Sequence, residues 1–476
     1  MVIRDKLYIN GKWVGPSCAE IFEVVNPANE EIIGTIPAAR QQDADAAVMA
    51  ARNAFGSWAA TSVEERADWL DKIHAALKNK SEEMAELITA ELGMPFKLTR
   101  MIQVGLPMVT LASYASHART FPFEEKMGHS LIVKEAAGVV AAITPWNYPL
   151  HQIVAKLAPA LAAGCTVVLK PSEVTPLNAF LLADIMDQIG LPAGVFNLVS
   201  GAGPVVGERL AIHEDVDLIS FTGSTRAGKR VAELAAGGVK RVALELGGKS
   251  PSVVLDDADL AEAVKGTVKS CFLNSGQTCS AWTRLLVPED RYEEAAELAV
   301  QAAKKFHPGD PMDENARLGP LVSRRQYEKV MDYIRQGCDE GAALLFGGTD
   351  VPVGLEHGYY VQPTVFGRVT PEMSIAREEI FGPVLSIMTY RSEDEAVALA
   401  NATPYGLAAG VWSADATRAM AVARRLRAGQ VDINGAPYNT EAPFGGYRQS
   451  GYGREMGRFG LEEYLEVKAI QLPPSA

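Results

Sequence analysis

The stretch VVAAITPWNYPLHQIVAKLAPALAAGCTVVLKP, residues 139–171, decides the fold class. It contains an apolar run at Val139–Ile143, a loop with two prolines, a helical stretch at Ile153–Ala163 and a second apolar run at Thr166–Leu169. Short buried strands that alternate with helices are typical of a parallel sheet with helices on both faces. The stretch therefore predicts an α/β fold, in which ligands bind at the carboxyl ends of the strands.

The same alternation continues along the chain from this stretch. It predicts a doubly wound parallel sheet that ends at Leu246, a second α/β domain that opens after Cys279, and a cleft between the two. Before residue 120, short strands precede helices, and Thr61-Ser-Val-Glu64 predicts a capping box at a helix start. The further apolar runs are Val195–Val199, Leu218–Phe221, Val242–Leu246, Arg284–Val287, Val384–Met388, Ala409–Trp412 and Val431–Asn434.

Composition excludes several classes of protein. The formal net charge of −13 over 476 residues argues against a nucleic-acid surface and against binding to anionic membranes. No run of about 18 apolar residues is present, so no membrane-spanning helix is expected. The five cysteines form no CxxC pair and no zinc spacing, which predicts reduced thiols in a cytoplasmic protein and no metal site.

Two short segments carry the candidate chemistry. Cys279 lies in Asn274-Ser-Gly-Gln-Thr-Cys279-Ser, and Glu245 lies in Leu244-Glu245-Leu-Gly-Gly-Lys249. Backbone N–H groups aimed by the glycine turn would lower the pKa of the thiol and favour the nucleophilic thiolate. The apolar neighbours of Glu245 would raise the pKa of its carboxyl group, as suits a general base that works near neutral pH.

These two segments closely resemble the signatures of the NAD(P)-dependent aldehyde dehydrogenase family, in its non-CoA-acylating branch. Five motif regions follow the family's order across nearly the whole chain. The resemblance implies that an aldehyde is oxidised to the carboxylic acid with NAD⁺, through a thiohemiacetal and a thioester on Cys279. It assigns Glu245 to activate the water that hydrolyses the thioester. It assigns the amide of Asn147, in Pro145-Trp-Asn147-Tyr-Pro149, to hold the oxyanion.

The resemblance also implies a cofactor site. The strand end at Gly223 and the helix start at Ser224 suit a dinucleotide pyrophosphate. A carboxylate at Glu173 would repel a 2′-phosphate, so NAD is expected, with NADP as the weaker alternative. The positions assigned to the cofactor are Ile143, Trp146, Lys170, Glu173, Gly203, Phe221, Thr222, Gly223, Ser224, Leu246, Gln326, Glu379 and Phe381.

The substrate pocket is expected to be uncharged. None of its side chains is cationic or anionic, which favours a neutral aliphatic or aromatic aldehyde. A semialdehyde or betaine aldehyde is the alternative. The family motifs place at the pocket Tyr148, Gln152, Ala155, Leu273, Thr278, Ser280 and Tyr438, with His151 nearby.

Domain boundaries and assembly follow from the same resemblance. It implies an NAD-binding domain in residues 1–120 and 136–246, and a catalytic domain in residues 247–450. Residues 121–135 and 460–476 are expected to form oligomerisation strands of a homodimer or homotetramer. No nucleic-acid or membrane partner is expected.

Two other classes of protein could use some of the same residues. A cysteine hydrolase would pair Cys279 with a histidine, but none of the seven histidines lies in a recognisable motif. A non-catalytic NAD-binding protein would keep the fold and have no need for a thiol, a base and an amide together.

Overall fold

The computed structural model describes residues 1–473, so residues 474–476, the end of one predicted oligomerisation segment, lie outside the described residues. The strands are β1 Val2–Ile3, β2 Leu7–Ile9, β3 Lys12–Val14, β4 Ile21–Val25, β5 Ile32–Pro37, β6 Glu124–Met127, β7 Ser130–Ala136, β8 Val139–Ile143, β9 Thr166–Lys170, β10 Phe196–Leu198, β11 Leu218–Thr222, β12 Arg241–Glu245, β13 Ser250–Val254, β14 Trp282–Pro288, β15 Ala343–Phe346, β16 Thr364–Gly367, β17 Val384–Tyr390, β18 Ala408–Trp412, β19 Gln430–Ile433, β20 Gly451–Tyr452 and β21 Leu465–Gln471.

The α-helices separate most of these strands. Two π-helical turns, Thr99–Val104 and Gly203–Gly207, directly precede α5 and α8. The α-helices are α1 Gln41–Ala59, α2 Val63–Asn79, α3 Ser81–Leu92, α4 Phe96–Leu98, α5 Gly105–Thr120, α6 Pro149–Ala163, α7 Leu177–Gln188, α8 Glu208–Ile212, α9 Thr225–Ala236, α10 Leu260–Phe272, α11 Tyr292–Ala303, α12 Arg324–Asp339, α13 Ser374–Arg377, α14 Glu393–Asn401, α15 Ala416–Arg425 and α16 Gly457–Glu462.

An eight-stranded sheet organises the first half of the chain, in the order β20-β12-β11-β8-β9-β10-β2-β3. Its five central strands are parallel, and the outer strands β20, β2 and β3 pair antiparallel. The chain winds from β8 through β9 and β10 on one side, then through β11 and β12 on the other. The predicted doubly wound sheet is therefore confirmed, with its change of winding direction between β8 and β11, where such sheets bind ligands.

A seven-stranded sheet organises the second half, in the order β15-β16-β17-β14-β13-β18-β19. All its pairings are parallel except that of β15 with β16. A third sheet, β21-β7-β6, is antiparallel and has exposed apolar side chains, among them Val467 (68% exposed) and Met127 (62%).

Helix α6 shows how the core supports the site. Every residue from Pro149 to Ala163 is buried, including the polar side chains His151, Gln152 and Lys156. The helix begins four residues before the predicted Ile153, because proline is well tolerated at the first helical position. It ends at Gly164, whose left-handed backbone (φ 95°) favours glycine.

Two local expectations differ from the structure. The residue that caps α2 is Ser62, whose hydroxyl accepts from the Glu65 N–H at 3.1 Å, whereas Thr61 donates back to Trp58 O of the preceding helix. The alternation of strands and helices also predicts one helix over Val205–Ile212, but the structure divides this stretch between the second π-helical turn and α8.

Candidate active site

Four strand ends bring the predicted residues to one edge of the first sheet. Ile143 pairs with Lys170 and with Phe221, and Thr222 pairs with Glu245, at the carboxyl ends of β8, β9, β11 and β12. The Gly223 N–H then donates to Glu245 O at 3.0 Å. These positions are far apart in sequence, and the parallel register aligns them in one row.

The Cys279 loop has an unusual backbone. Asn274 and Ser275 both have positive φ angles (52° and 56°), and so does Gly276 (72°). A Cβ on Gly276 would lie 2.1 Å from the carbonyl oxygen of Gly382, so no larger residue fits there. Such costly conformations persist where surrounding structure enforces them, as at active sites. The predicted glycine turn before the thiol is present.

The loop also touches the turn that follows Glu245. A Cβ on Gly248 would lie 2.7 Å from Cys279 O, and a Cβ on Gly247 would lie 2.2 Å from a carboxylate oxygen of Glu379. The Gly248 N–H donates to the Glu379 carboxylate at 3.1 Å. Glycines let these three backbone segments approach closely.

The pKa of Cys279 moves opposite to the expectation from sequence. The thiol is partly exposed in the cleft. Burial, then the charges of Glu379 and Glu245, raise the pKa of Cys279 to about 12, and the Ser280 N–H opposes them only in part. The predicted lowering of the pKa is wrong, because desolvation and the neighbouring carboxylates outweigh the backbone donor.

Asn147 is held by three hydrogen bonds. Its backbone carbonyl accepts from Gln103 Nε2 at 3.0 Å and from Asn274 Nδ2 at 2.8 Å. Its own Nδ2 donates to Gln277 O at 2.9 Å, which joins it to the Cys279 loop. Sequence reasoning missed Gln103 and Asn274. Gln103 lies in the first π-helical turn, a feature often found at functional sites, but no spacing rule predicted it.

Glu245 is buried (5% exposed), and neither of its carboxylate oxygens has a hydrogen-bond partner within residues 1–473. Burial and the charge of Glu455 raise its pKa well above the usual carboxyl range, in the direction expected from its apolar neighbours. A Cβ on Gly445 would lie 2.6 Å from Glu245 Oε1, so glycine leaves the room that the carboxylate occupies.

A buried ion pair lies behind this carboxylate. Lys156 on α6 pairs with Glu455 and also donates to Thr222 Oγ1 at 2.7 Å. Both charged side chains are less than a tenth exposed. Removing one partner of such a pair leaves an uncompensated buried charge, so each partner stabilises the position of the other.

The groove along the strand ends contains the expected cofactor residues. Lys170 is buried, its ammonium donates to Pro171 O at 2.8 Å, and Glu173 Oε2 lies 3.4 Å away. Burial lowers the pKa of Lys170. Ser224 caps α9 by accepting from the Ala227 N–H at 3.3 Å. Nothing lies within 4 Å of a Cβ built on Gly203.

Two aromatic rings of the predicted cofactor site are in edge-to-face contact. Trp146 and Phe381 are perpendicular, with ring centroids 5.3 Å apart. Phe381 has a positive φ (62°), and its carbonyl accepts from Gln326 Nε2 at 2.7 Å. Leu246 is buried beside this region and donates its N–H to Ser450 O at 3.0 Å.

The predicted pocket residues come from three parts of the chain. Tyr148 OH and Thr278 Oγ1 are 2.6 Å apart, which joins α6 to the Cys279 loop. Tyr438 is 42% exposed, and its pKa is raised by burial and by the charges of Glu455, Cys279 and Glu245. The remaining predicted positions are buried or partly buried: Gln152, Ala155, Leu273 and Ser280.

Within residues 1–473, no group of three or more His, Cys, Asp or Glu side chains has an arrangement that could hold a metal ion. Over the same residues, no helix is both long and apolar enough to cross a membrane.

The model of the aldehyde dehydrogenase family matches residues 13–470. The chain is 52% identical to 3-succinoylsemialdehyde-pyridine dehydrogenase of a Pseudomonas species, over 98% of this chain and 99% of that protein. It is 49% identical to aldehyde dehydrogenase C of Pseudomonas syringae, solved as a cysteine-to-alanine mutant with NAD⁺ and octanal (TM-score 0.98, covering 99% of this chain and 98% of that one). It is 38% identical to betaine aldehyde dehydrogenase of Staphylococcus aureus, solved with NAD⁺ (TM-score 0.96, covering 99% and 97%). The chain belongs to the aldehyde dehydrogenase family.

Proposed function

We propose that this protein oxidises a neutral aldehyde to the carboxylic acid with NAD⁺, using Cys279 as nucleophile, Glu245 as base and Asn147 as oxyanion donor. The observation that carries the proposal is their convergence on one cleft. Asn147 is hydrogen-bonded to the Cys279 loop, and the turn after Glu245 lies against the Cys279 backbone.

The first step is attack of the Cys279 sulfur on the aldehyde carbon, which forms a thiohemiacetal. The negative charge that develops on the aldehyde oxygen is stabilised by the Asn147 amide and the Cys279 N–H. Loss of one such donor typically costs about 3–4 kcal/mol of barrier. Bonds from Gln103 and Asn274 fix the backbone of Asn147 in advance.

The second half of the reaction is hydrolysis of the thioester. Glu245 takes a proton from water, which attacks the thioester carbon and releases the acid and the Cys279 thiol. Neither carboxylate oxygen of Glu245 is engaged in a hydrogen bond within residues 1–473, which supports this role. Its raised pKa makes it a stronger base than an ordinary carboxylate.

The groove fits NAD. The start of α9 offers backbone N–H groups and the helix dipole to a pyrophosphate. Lys170 and Glu173 suit the ribose hydroxyls, and Glu173 disfavours the 2′-phosphate of NADP, the weaker alternative. The nicotinamide end suits Glu379, Gln326 and Phe381. The remaining predicted cofactor positions are Ile143, Trp146, Gly203, Phe221, Thr222, Gly223 and Leu246. When bound, NAD⁺ supplies the hydride acceptor.

The neutral substrate is supported by the pocket residues Tyr148, Gln152, Ala155, Leu273, Thr278, Ser280 and Tyr438. Lys156, the nearest cation on α6, is already paired with Glu455. A semialdehyde or betaine-aldehyde substrate is the alternative, and the names of two relatives contain these terms.

One assay tests the proposal. The purified protein is mixed with a panel of neutral, carboxylate-bearing and quaternary-amine aldehydes, with either NAD⁺ or NADP⁺, and reduced cofactor is followed by its absorbance. We expect the highest kcat/KM with a neutral aldehyde and NAD⁺. No aldehyde-dependent reduction of either cofactor would contradict the activity.

Domain division and assembly belong to the same proposal. The two large sheets support an NAD-binding domain in residues 1–120 and 136–246 and a catalytic domain in residues 247–450. The exposed apolar side chains of the β21-β7-β6 sheet support residues 121–135 and 460–476 as the strands of a homodimer or homotetramer. Five free cysteines support a cytoplasmic location. Light scattering after deletion of residues 465–476 tests the assembly.

A further inference from the structure

Glu91, in the last turn of α3, is a fully buried carboxylate that the proposed reaction does not use. Burial raises the pKa of Glu91 to about 7, and hydrogen bonds from Asn178 and Leu177 act in the opposite direction. A buried charge is costly unless the group is hydrogen-bonded. The donors that offset this cost all come from the start of α7.

Glu91 caps α7 from outside that helix. Pro176 precedes the first helical residue, and its side chain makes no cap bond. The Leu177 N–H donates to Glu91 Oε2 at 2.7 Å, and the Asn178 N–H donates to Glu91 Oε1 at 3.1 Å. A carboxylate at a helix N-terminus satisfies backbone donors that have no partner inside the helix, and it interacts favourably with the helix dipole. The start of α7 is therefore fixed by a side chain from α3.

A chain of hydrogen bonds runs from this cap towards the predicted cofactor residues. The side-chain amide of Asn178 donates to Glu91 Oε1 at 2.7 Å and to Thr175 O at 2.8 Å. The Thr175 hydroxyl donates in turn to Trp146 O at 3.0 Å. Asn178 and Thr175 are both buried, so water does not compete for these bonds. The cap is thus connected to Trp146 through two buried side chains.

The loop that carries Glu173 lies between β9 and this cap. It comprises residues 171–176 and has proline at both ends, which restricts its backbone. Lys170 ends β9 before the loop, and Leu177 begins α7 after it. Because the loop is short and held at both ends, the position of Glu173 depends on the cap that fixes the start of α7.

We propose that Glu91 is a positioning residue for the cofactor, and that it holds Glu173 in place for the adenosine ribose of NAD. The oxyanion donor is fixed separately, because Asn147 O accepts from Gln103 and Asn274. Loss of the Glu91 carboxylate should therefore weaken cofactor binding more than it slows the chemical steps. This inference rests on the proposed function and adds a fully buried residue to its cofactor site.

The test compares Glu91→Gln with wild-type protein at about pH 8.5, above the pKa of the Glu91 carboxyl group. Glutamine keeps the shape, but its NH₂ group cannot accept from an N–H donor of α7. We expect the KM for NAD⁺ and the Kd for ADP-ribose, measured by titration calorimetry, to rise about tenfold, the effect of one lost hydrogen bond. The kcat should stay within about twofold of wild type, as expected when only binding is lost.

The matched control is Glu86→Gln, the same change at an exposed position of α3, which should bind ADP-ribose as the wild type does. Thr175→Val removes the bond to Trp146 O, should raise the same Kd several-fold, and decides the question if Glu91→Gln folds poorly. If the variant that folds binds ADP-ribose with wild-type affinity, even at a lower melting temperature, this inference alone is overturned. A wild-type protein that binds no ADP-ribose and reduces no cofactor would overturn the proposed function and this inference with it.

Discussion

Cys271 and Cys279 lie eight positions apart in sequence. They differ in burial and in local backbone, but the pKa of both thiols is raised to the same value. Cys271 is fully buried on α10, in a core cluster, and its thiol donates to Val384 O at 3.4 Å. Cys279 is partly exposed in the cleft, on the loop with left-handed residues. The pKa of each thiol is raised to about 12.

The causes of these equal values differ. Burial alone raises the pKa of Cys271, and packing makes that cause permanent. For Cys279 the causes are burial and then the charges of three carboxylates, Glu379, Glu245 and Glu455. Protonation of a carboxylate removes its charge, and a bound ligand changes how strongly the remaining charges act on the thiol. The comparison teaches that the proposed nucleophile differs from the core thiol in the causes of its high pKa, and not in the value itself.

The most direct way to break this comparison is to remove each thiol. Cys279→Ala should lower kcat for aldehyde oxidation by about 10⁴-fold or more, because the covalent intermediate can no longer form. Cys271→Ala should keep most of the activity and lose about 1 kcal/mol of unfolding free energy through lost packing. Steady-state kinetics and urea unfolding measure the two effects. Equal activity of the two variants would disprove the assignment of the nucleophile.

Removing the base should separate the two halves of the reaction. Glu245→Gln is expected to lower steady-state turnover by about 10³-fold, since it leaves the water without a general base. The first half does not need that base, so rapid mixing should show about one equivalent of NADH per site and then a stall. If turnover continued at the wild-type rate after the burst, Glu245 would not be the general base for thioester hydrolysis.

The Asn147 contacts provide a third difference, because the proposed oxyanion donor is hydrogen-bonded to the Cys279 loop through Gln277 O. Gln103→Met removes the hydrogen bond to Asn147 O and should lower kcat about tenfold, the effect of one net hydrogen bond. The KM for NAD⁺ should change little, since Gln103 Nε2 donates to Asn147 O and Met94 Sδ, neither of which is a predicted cofactor position. Gln301→Leu is the control for loss of a glutamine amide. A variant with unchanged kcat would show that Gln103 does not position the donor.

The smallest expected effect concerns the carboxylate charges that raise the pKa of Cys279. In the NAD-free protein the thiolate fraction of Cys279 rises with pH towards a pKa of about 12, so alkylation by iodoacetamide should accelerate throughout the accessible alkaline range. Glu379→Gln removes one negative charge near the thiol, lowers its pKa and should increase the alkylation rate several-fold at a fixed pH. Cys271 should resist alkylation in both proteins. No change in rate for Glu379→Gln would mean that burial alone raises the pKa of Cys279.

Much of this molecule follows from local sequence. The apolar runs at Val139–Ile143 and Val242–Leu246 predicted strands that the structure confirms within a residue, because buried parallel strands have few alternatives. The motifs around Cys279 and Glu245 predicted the family, which the comparisons confirm. Local patterns were weaker at boundaries, as at Ser62, where hydroxyls on adjacent residues compete for one cap.

What only the tertiary structure decided is how distant residues act on one another. The upward shift of the Cys279 pKa comes first from burial and then from the charges of Glu379 and Glu245, and all of these arise only when distant parts of the chain pack together. Gln103 contacts the site from the first π-helical turn and Lys156 from α6, and the partners of both are far away in sequence. A sequence specifies which groups are present and the local shape of the chain. Desolvation and charge depend on distances that exist only after folding.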